Sequence, residues 1–391
     1  MIQLVQSKSY LNKRKDVDTW FMSKYKIAPY AGCSHNCAYC DGRSEKYYFD
    51  GVFGKDLFVR YDCANSLVDE IRTASEKGPI MIGSGYTDAY QPIEKKFNLT
   101  RNILINALPH HKQHAAVVLT KSDLILKDLD ILKAWHQHKK VMVMFSLTTD
   151  DDNLTSWLEP GASSASARLK AIETLTKEGI PVGVAAMPFI PYLNDRNQPL
   201  ISFLKRLKDA GVSFVLPGSL TLRPGENKDH FAEVLAQHQP DLTSKILSLY
   251  REDRPSGMPV GDYESRFTEH LTAAMNHAGL VTRAPHHLTK DWFTLYDSVT
   301  ILLSHMSVLY ASDEKAISRI RDLSKMYEAW LESASARIGR PKDRYVRLEQ
   351  ELEHIIRNPL GLDDSFDDKF RQFILPLLDH KVYDYQTKKW L

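Results

Sequence analysis

Gly32-Cys33-Ser34-His35-Asn36-Cys37-Ala38-Tyr39-Cys40 holds three of the four cysteines of the chain, spaced Cys-x3-Cys-x2-Cys. Thiols crowded in this way make no sense as a disulfide framework and point to metal binding or catalysis in a reducing compartment. Soft thiolates on one tight loop suit an iron–sulfur cluster or a zinc ion. A [4Fe–4S] cluster normally takes four protein thiolates, and the fourth cysteine, Cys63, lies well downstream. Cys33, Cys37 and Cys40 alone would therefore leave one iron able to bind a small molecule, which is a catalytic arrangement. Tyr39, beside the last cysteine, would shield one face of the cluster and tune its potential through burial. The rival is a structural zinc completed by His35 or Cys63. Zinc sites usually pair short spacings, and no second Cys-x2-Cys or His-x3-His pair is present.

Outward from the loop, residues 1–25 are polar and charged and read as an extension with little independent structure. Residues 26–30 read as a short strand leading into Gly32. Beyond the loop, apolar runs of the buried parallel kind lie at 79–82, 115–119, 141–145, 180–187 and 212–216. Segments of helical periodicity separate them: 66–75, one that Thr100 would cap, 122–138, one from Ser164 that stops at Gly179, and one that stops at Gly211. Repeated βα units imply a parallel sheet with right-handed crossovers, either doubly wound or a complete or partial barrel. After about residue 241 helical periodicity dominates, interrupted by Pro255-Ser256-Gly257-Met258-Pro259. The expected organisation is an extension (1–25), an α/β core (26–240) and a mainly helical region (241–391).

Composition narrows the function classes. With 51 basic against 49 acidic residues, the chain has no long-range pull on a polyanion, although a local basic patch is compatible with that balance. No window approaches 18 continuous apolar residues and residues 1–15 lack the apolar core of a signal peptide, so neither a membrane span nor export is expected. The cytoplasm is the expected compartment. The scarcity of further cysteines argues against auxiliary clusters.

Cys-x3-Cys-x-aromatic-Cys at the end of a first strand, opening a βα series, resembles the signature of radical S-adenosylmethionine (SAM) enzymes. Within that superfamily the chain is similar to the spore photoproduct lyase-like group. The residues that carry the resemblance begin with Pro29-Tyr30-Ala31-Gly32-Cys33, His35, Cys37, Tyr39 and Cys40. They continue through Thr87-Asp88-Ala89-Tyr90-Gln91-Pro92-Ile93-Glu94 and Leu119-Thr120-Lys121-Ser122-Asp123 to Glu159-Pro160, Arg168-Leu169 and Ile190-Pro191-Tyr192-Leu193-Asn194-Asp195. These fall in order over about residues 26–222; the C-terminal third is not covered.

The resemblance implies a partial (β/α)6 barrel with a [4Fe–4S] cluster at its mouth. The open iron would chelate SAM, and reduction by a one-electron donor such as flavodoxin or ferredoxin would release a 5′-deoxyadenosyl radical. It also implies that Lys121 contacts the SAM carboxylate and that Ser146 bonds the ribose. Asp88, Glu94, Arg168 and Asn194 would sit on strand-end loops, where barrel enzymes place their active groups. A nucleic-acid base, damaged or modified, is the implied substrate class. One departure stands out: where spore photoproduct lyases carry a hydrogen-returning cysteine, this chain has Gly85. Tyr86 and Tyr90, beside that position, are the candidates to relay a radical instead. The competing reading is a nucleic-acid-binding protein without catalysis, stabilised by zinc or by a cluster.

Overall fold

The computed structural model describes residues 1–83, 85–341, 343–358 and 366–391. Strands are β1 (Ile2–Leu4), β2 (Asn12–Asp18), β3 (Ser23–Ile27), β4 (Tyr30–Ala31), β5 (Leu57–Val59), β6 (Ile80–Ile82), β7 (Ala116–Thr120), β8 (Val141–Ser146), β9 (Val182–Phe189) and β10 (Phe214–Ser219). The main sheet runs β10-β9-β8-β7-β6-β3-β2. Six of its strands, β3 and β6 to β10, are parallel, and β2 pairs antiparallel with β3 at the edge. The sheet ends at β10 on one side and β2 on the other, so it is a half-barrel and not a closed one.

The apolar runs behave as strands covered on both faces should. Along β8, Val143 and Phe145 pack outward against the helices, whereas Met142 and Met144 turn into the half-barrel. The outer layer comes from helices such as Leu99–Ala107, Leu129–Gln137, Ala165–Lys177 and Asn197–Asp209. Trp135, fully buried between sheet and helices, donates its indole N–H to the Leu104 carbonyl at 3.0 Å. Thr100 does not cap its helix. Asn98, in a left-handed conformation, holds that place, and the Thr100 hydroxyl donates to Ala89 O at 2.6 Å.

The first 25 residues are not the loose extension their polarity suggests. β1 pairs with β5, and β2 forms a hairpin with β3 that adds the last strand to the sheet. An edge strand needs backbone partners on one side only, so it can remain charged and largely exposed, and apolar alternation does not reveal it. The hairpin turn also contributes Met22 and Phe21 to the half-barrel floor, beside Phe214 and Trp292.

Beyond β10, helix Tyr263–Ala278 packs into the outer core through Phe267, Leu271 and Met275. The helices Leu295–Leu309, Glu314–Ile338, Arg344–Arg357 and Asp368–Leu378 build a second core around Tyr327, Trp330, Leu352 and Phe370. This second core attaches at the N-terminal ends of the strands. There Lys24 reaches Glu76 at 3.0 Å and Asp297 at 3.1 Å, and Trp292 donates to Lys139 O at 2.9 Å. The C-terminal ends of the strands are left to the loops. Among the described residues no helix is long and apolar enough to cross a membrane.

Candidate active site

Where β4 ends, the chain must turn sharply past the β5 segment. Gly32 makes that turn at φ +79, and a Cβ there would stand 2.4 Å from Asp56 O. The cysteine loop that follows is pinned from three directions. Thr87 donates its hydroxyl to Gly32 O at 2.7 Å, and Ser34 N donates to the Gln91 side chain at 2.9 Å. Ala38 N donates to Leu158 O at 2.8 Å and Gly161 N to His35 O at 3.0 Å. Asn227 donates to Cys40 O at 2.9 Å. A backbone so fully hydrogen-bonded presents its side chains in a fixed arrangement.

Cys33, Cys37 and Cys40 line one cavity of about 240 Å³ at the C-terminal ends of the strands. A larger hollow of about 420 Å³ lies among the C-terminal helices and holds none of these groups. Burial pushes all three thiols up, and Lys121 pulls Cys37 and Cys40 part of the way back. Thiolates in such a place need a cationic partner, which a bound metal supplies. Three soft donors on one rigid loop thus fit an iron–sulfur cluster. Among the described residues no three His, Cys, Asp or Glu side chains converge as a single metal ion requires; a cluster instead takes each thiolate on a different iron. Cys63 is fully buried in the outer core with Tyr30. His35, also buried, has its Nδ1 3.5 Å from Asp88 Oδ2, and burial keeps its pKa below the ordinary value.

Beside the cysteines stands a buried ionic group. Lys121, directly after β7, donates to Ser146 Oγ at 2.6 Å, to Tyr39 OH at 3.1 Å and to Glu159 Oε1 at 3.1 Å. Glu159 Oε1 also accepts from the Tyr39 hydroxyl, and Oε2 from the Arg168 guanidinium. Arg168, with no exposed surface, turns its other amino group to Ser146 O at 2.8 Å. Burial alone would raise the Glu159 pKa, but Arg168 and Lys121 outweigh it and bring it to about 2.

The predicted site residues separate into those facing the cavity and those behind it. Tyr39, Lys121, Ser146, Asp88 and Tyr86 line it. Asp88 is bound by backbone: Oδ1 accepts from Tyr90 N at 2.8 Å and Oδ2 from Lys121 N at 2.7 Å, which ties the end of β7 to the segment under the cysteine loop. Tyr86 packs its ring 5.3 Å from that of Tyr47. Tyr90 lies behind the wall, its hydroxyl donating to Asp128 at 2.9 Å. Glu94, equally buried, accepts from the Tyr30 hydroxyl and from Thr100 N at 3.0 Å. Arg168 and Asn194 also stand outside the cavity. Asn194 accepts from Ile190 N at 2.5 Å and donates to Thr148 O at 2.7 Å, so its amide braces the turn after β9. Sequence reasoning does not reach Asn227 as an anchor of the loop, since a lone amide carries no spacing signal; Gln91 lies within the Thr87-to-Glu94 motif, which says nothing of its bond to the Ser34 backbone. Glu159 belongs to the Glu159-Pro160 motif, which by itself does not disclose the ion pair with Arg168.

The model of the radical SAM superfamily matches residues 27–204. An uncharacterized protein of Mycobacterium tuberculosis is 32% identical over 251 residues, covering 63% of this chain and 73% of that one. An uncharacterized protein of Methanocaldococcus jannaschii is 37% identical over 174 residues, and the match spans 44% of this chain and only 63% of that relative. Among solved structures, spore photoproduct lyase complexed with dinucleoside spore photoproduct aligns over 71% of this chain and 79% of its own, with TM-score 0.51 and 16% identity. That last likeness is one of fold.

Proposed function

Since the chain belongs to the radical SAM superfamily of enzymes, we propose that it cleaves SAM reductively and turns the resulting radical on a nucleic-acid base, in repair or modification. The observation that carries this is the meeting of Cys33, Cys37, Cys40 and the Lys121 ammonium around one cavity. When bound, a [4Fe–4S] cluster on the three thiolates and SAM at its open iron supply a 5′-deoxyadenosyl radical.

The chain's own residues hold and shield. Lys121 offers a fixed cation to the SAM carboxylate, and its position is set by Ser146, Tyr39 and Glu159. Ser146 Oγ, at the end of β8 and on the cavity wall, would bond the ribose. Arg168 and Glu159 act as positioning residues from behind, and Asp88 fixes the β7 end from which Lys121 projects. Leu119, Ala185 and Met187 supply apolar walls that exclude water from a reactive intermediate. Tyr86, on the same wall, would give its phenol hydrogen atom to the product radical, its phenoxyl then taking up one electron from the donor and one proton, in a chain with Gly85 where a thiol would otherwise serve. A cytoplasmic flavodoxin or ferredoxin is the matching one-electron donor.

Anaerobic purification tests the reading. About four irons per chain, together with SAM-dependent 5′-deoxyadenosine after dithionite, are expected, and Cys→Ala at 33, 37 or 40 should abolish both. One tightly held zinc and no iron would sink the proposal in favour of a zinc-stabilised binding protein.

A further inference from the structure

Two lysines project from the same face of β3, and the protein treats them differently. Lys24 is closed in between Glu76 at 3.0 Å and Asp297 at 3.1 Å. Lys26, two residues on and half-buried, has no such partner: among the described residues its Nζ makes no ion pair within 4.0 Å. Its Nζ stands 5.6 Å from the centroid of the Tyr86 ring. Tyr86 is a wall of the cavity. The surroundings add positive charge. Asn12 faces Lys26 across the β2–β3 ladder, and Arg14 follows where the register of that ladder shifts, near enough for its charge to act on Lys26. Arg60 comes from the end of β5, its Nη1 donating to Ala28 O at 2.8 Å. Burial first, then Arg14 and Arg60, hold the Lys26 pKa below the ordinary lysine value. The acid at hand, Asp18, is already engaged: Oδ2 pairs with Arg14 at 3.0 Å, and Oδ1 accepts from Trp20 N at 3.0 Å and Phe21 N at 2.9 Å.

A half-buried ammonium among cations is unfavourable unless an anion arrives. The fold neutralises Lys24 with two carboxylates and supplies none to Lys26. Its place on the β2–β3 edge, across an aromatic wall from the cavity, puts that anion outside the cavity and on the molecule that enters it.

We propose that Lys26 binds a phosphate of the substrate strand next to the nucleotide whose base occupies the cavity. This rests on the nucleic-acid reading above. A strand carries a phosphate on either side of every base, and clustered Lys and Arg are the usual contacts to such groups.

The test compares the cluster-reconstituted full chain with Lys26→Met, which keeps the stem over Tyr86 and removes the charge, and with Lys26→Arg, which restores it. Binding of a short single-stranded DNA is measured across a salt series. Loss of one phosphate contact should weaken binding about tenfold at low salt and reduce the slope of log K against log salt by about 0.7; Lys26→Arg should recover both. In parallel, trace acetylation read by mass spectrometry should show Lys26 shielded by inorganic phosphate. If wild type binds DNA but Lys26→Met matches it in affinity and slope, the inference is overturned and the nucleic-acid reading stands. If wild type binds no DNA yet phosphate shields Lys26, the phosphate site is supported and the polynucleotide reading fails. If neither occurs, both fail.

Discussion

Glu159→Gln probes the ionic group behind the cysteine loop. Glu159 is buried and, among the described residues, is the one carboxylate that forms an ion pair with Arg168, whose side chain has no exposed surface. Replacing it with an uncharged amide leaves a guanidinium buried without a counter-charge. Breaking a buried pair from one side costs about 3–5 kcal/mol. The titration of the carboxyl gives a second route to the figure. Glu159 is held at about 2 against an ordinary 4.5, which corresponds to about 3 kcal/mol of preference for its charged form. The two routes agree, and the melting temperature of the full chain, unfolding as one unit, should fall by about 4–6 °C at pH 7.

The sign follows from linkage. A carboxyl depressed in the folded state contributes stability above its unfolded value and loses it as pH falls towards its folded one. The gap between wild type and Glu159→Gln should therefore be full at neutral pH and close between about pH 4.5 and 2. Arg168→Met combined with Glu159→Gln removes both charges, and should recover most of the loss, because an apolar pair of similar volume does not carry the desolvation cost. Thermal melts of the full chain from pH 7 to pH 3 decide the matter. A Glu159→Gln variant within 1 °C of wild type at pH 7, or a double variant showing the sum of the two single losses, would refute the account of this group as an ion pair that braces Lys121.

Three further outcomes are expected. Gly161→Ala would place a Cβ 2.2 Å from Ser34 O, displacing the cysteine loop; iron bound per chain after reconstitution should drop sharply while the melting temperature moves little. Lys121→Met removes a charge-assisted contact of about 1.5–3 kcal/mol, so the SAM concentration for half-maximal 5′-deoxyadenosine formation should rise about ten- to a hundredfold, with the iron content unchanged. Tyr86→Phe should lower substrate turnover and leave SAM cleavage intact. Tyr90→Phe should leave both intact and cost only about 0.5–1.5 kcal/mol of stability for one lost hydrogen bond, because Asp128 keeps Lys127 and Arg101; equal effects of the two substitutions on turnover would speak against Tyr86 as the hydrogen donor.

The parallel strands were legible because a strand covered on both faces must be apolar throughout, and residues 141–145 and 212–216 can be read no other way. The hairpin of β2 was not legible. Asn-Lys-Arg-Lys-Asp-Val-Asp pairs through its backbone along one edge and buries only Val17, and neither property leaves a pattern in the side chains. The second core was visible as helical periodicity, but its attachment at the far end of the strands depends on Lys24, Glu76 and Asp297, three residues scattered along the chain whose meeting no local spacing foretells.

At the candidate site the contrast lies within the motifs themselves. The cysteines and Lys121 stand out in the sequence as candidate ligands and cation because their chemistry has few structural uses at that spacing, and the structure brings them around one cavity. Asp88, Glu94, Arg168 and Asn194 belong to motifs just as clear, yet in the structure each spends hydrogen-bonding atoms on other parts of the protein. Asp88 is the instructive case, since it lines the cavity while both its oxygens accept from backbone N–H groups. A site that must hold a radical in place needs rigid walls as much as ligands, so polar residues of a motif can be fixed by the demands of the frame. A sequence pattern records both demands in the same letters. Only the direction of the side chain separates them: Lys121 and Ser146 face the cavity, while the Arg168 guanidinium lies behind Glu159 and acts on the site through it.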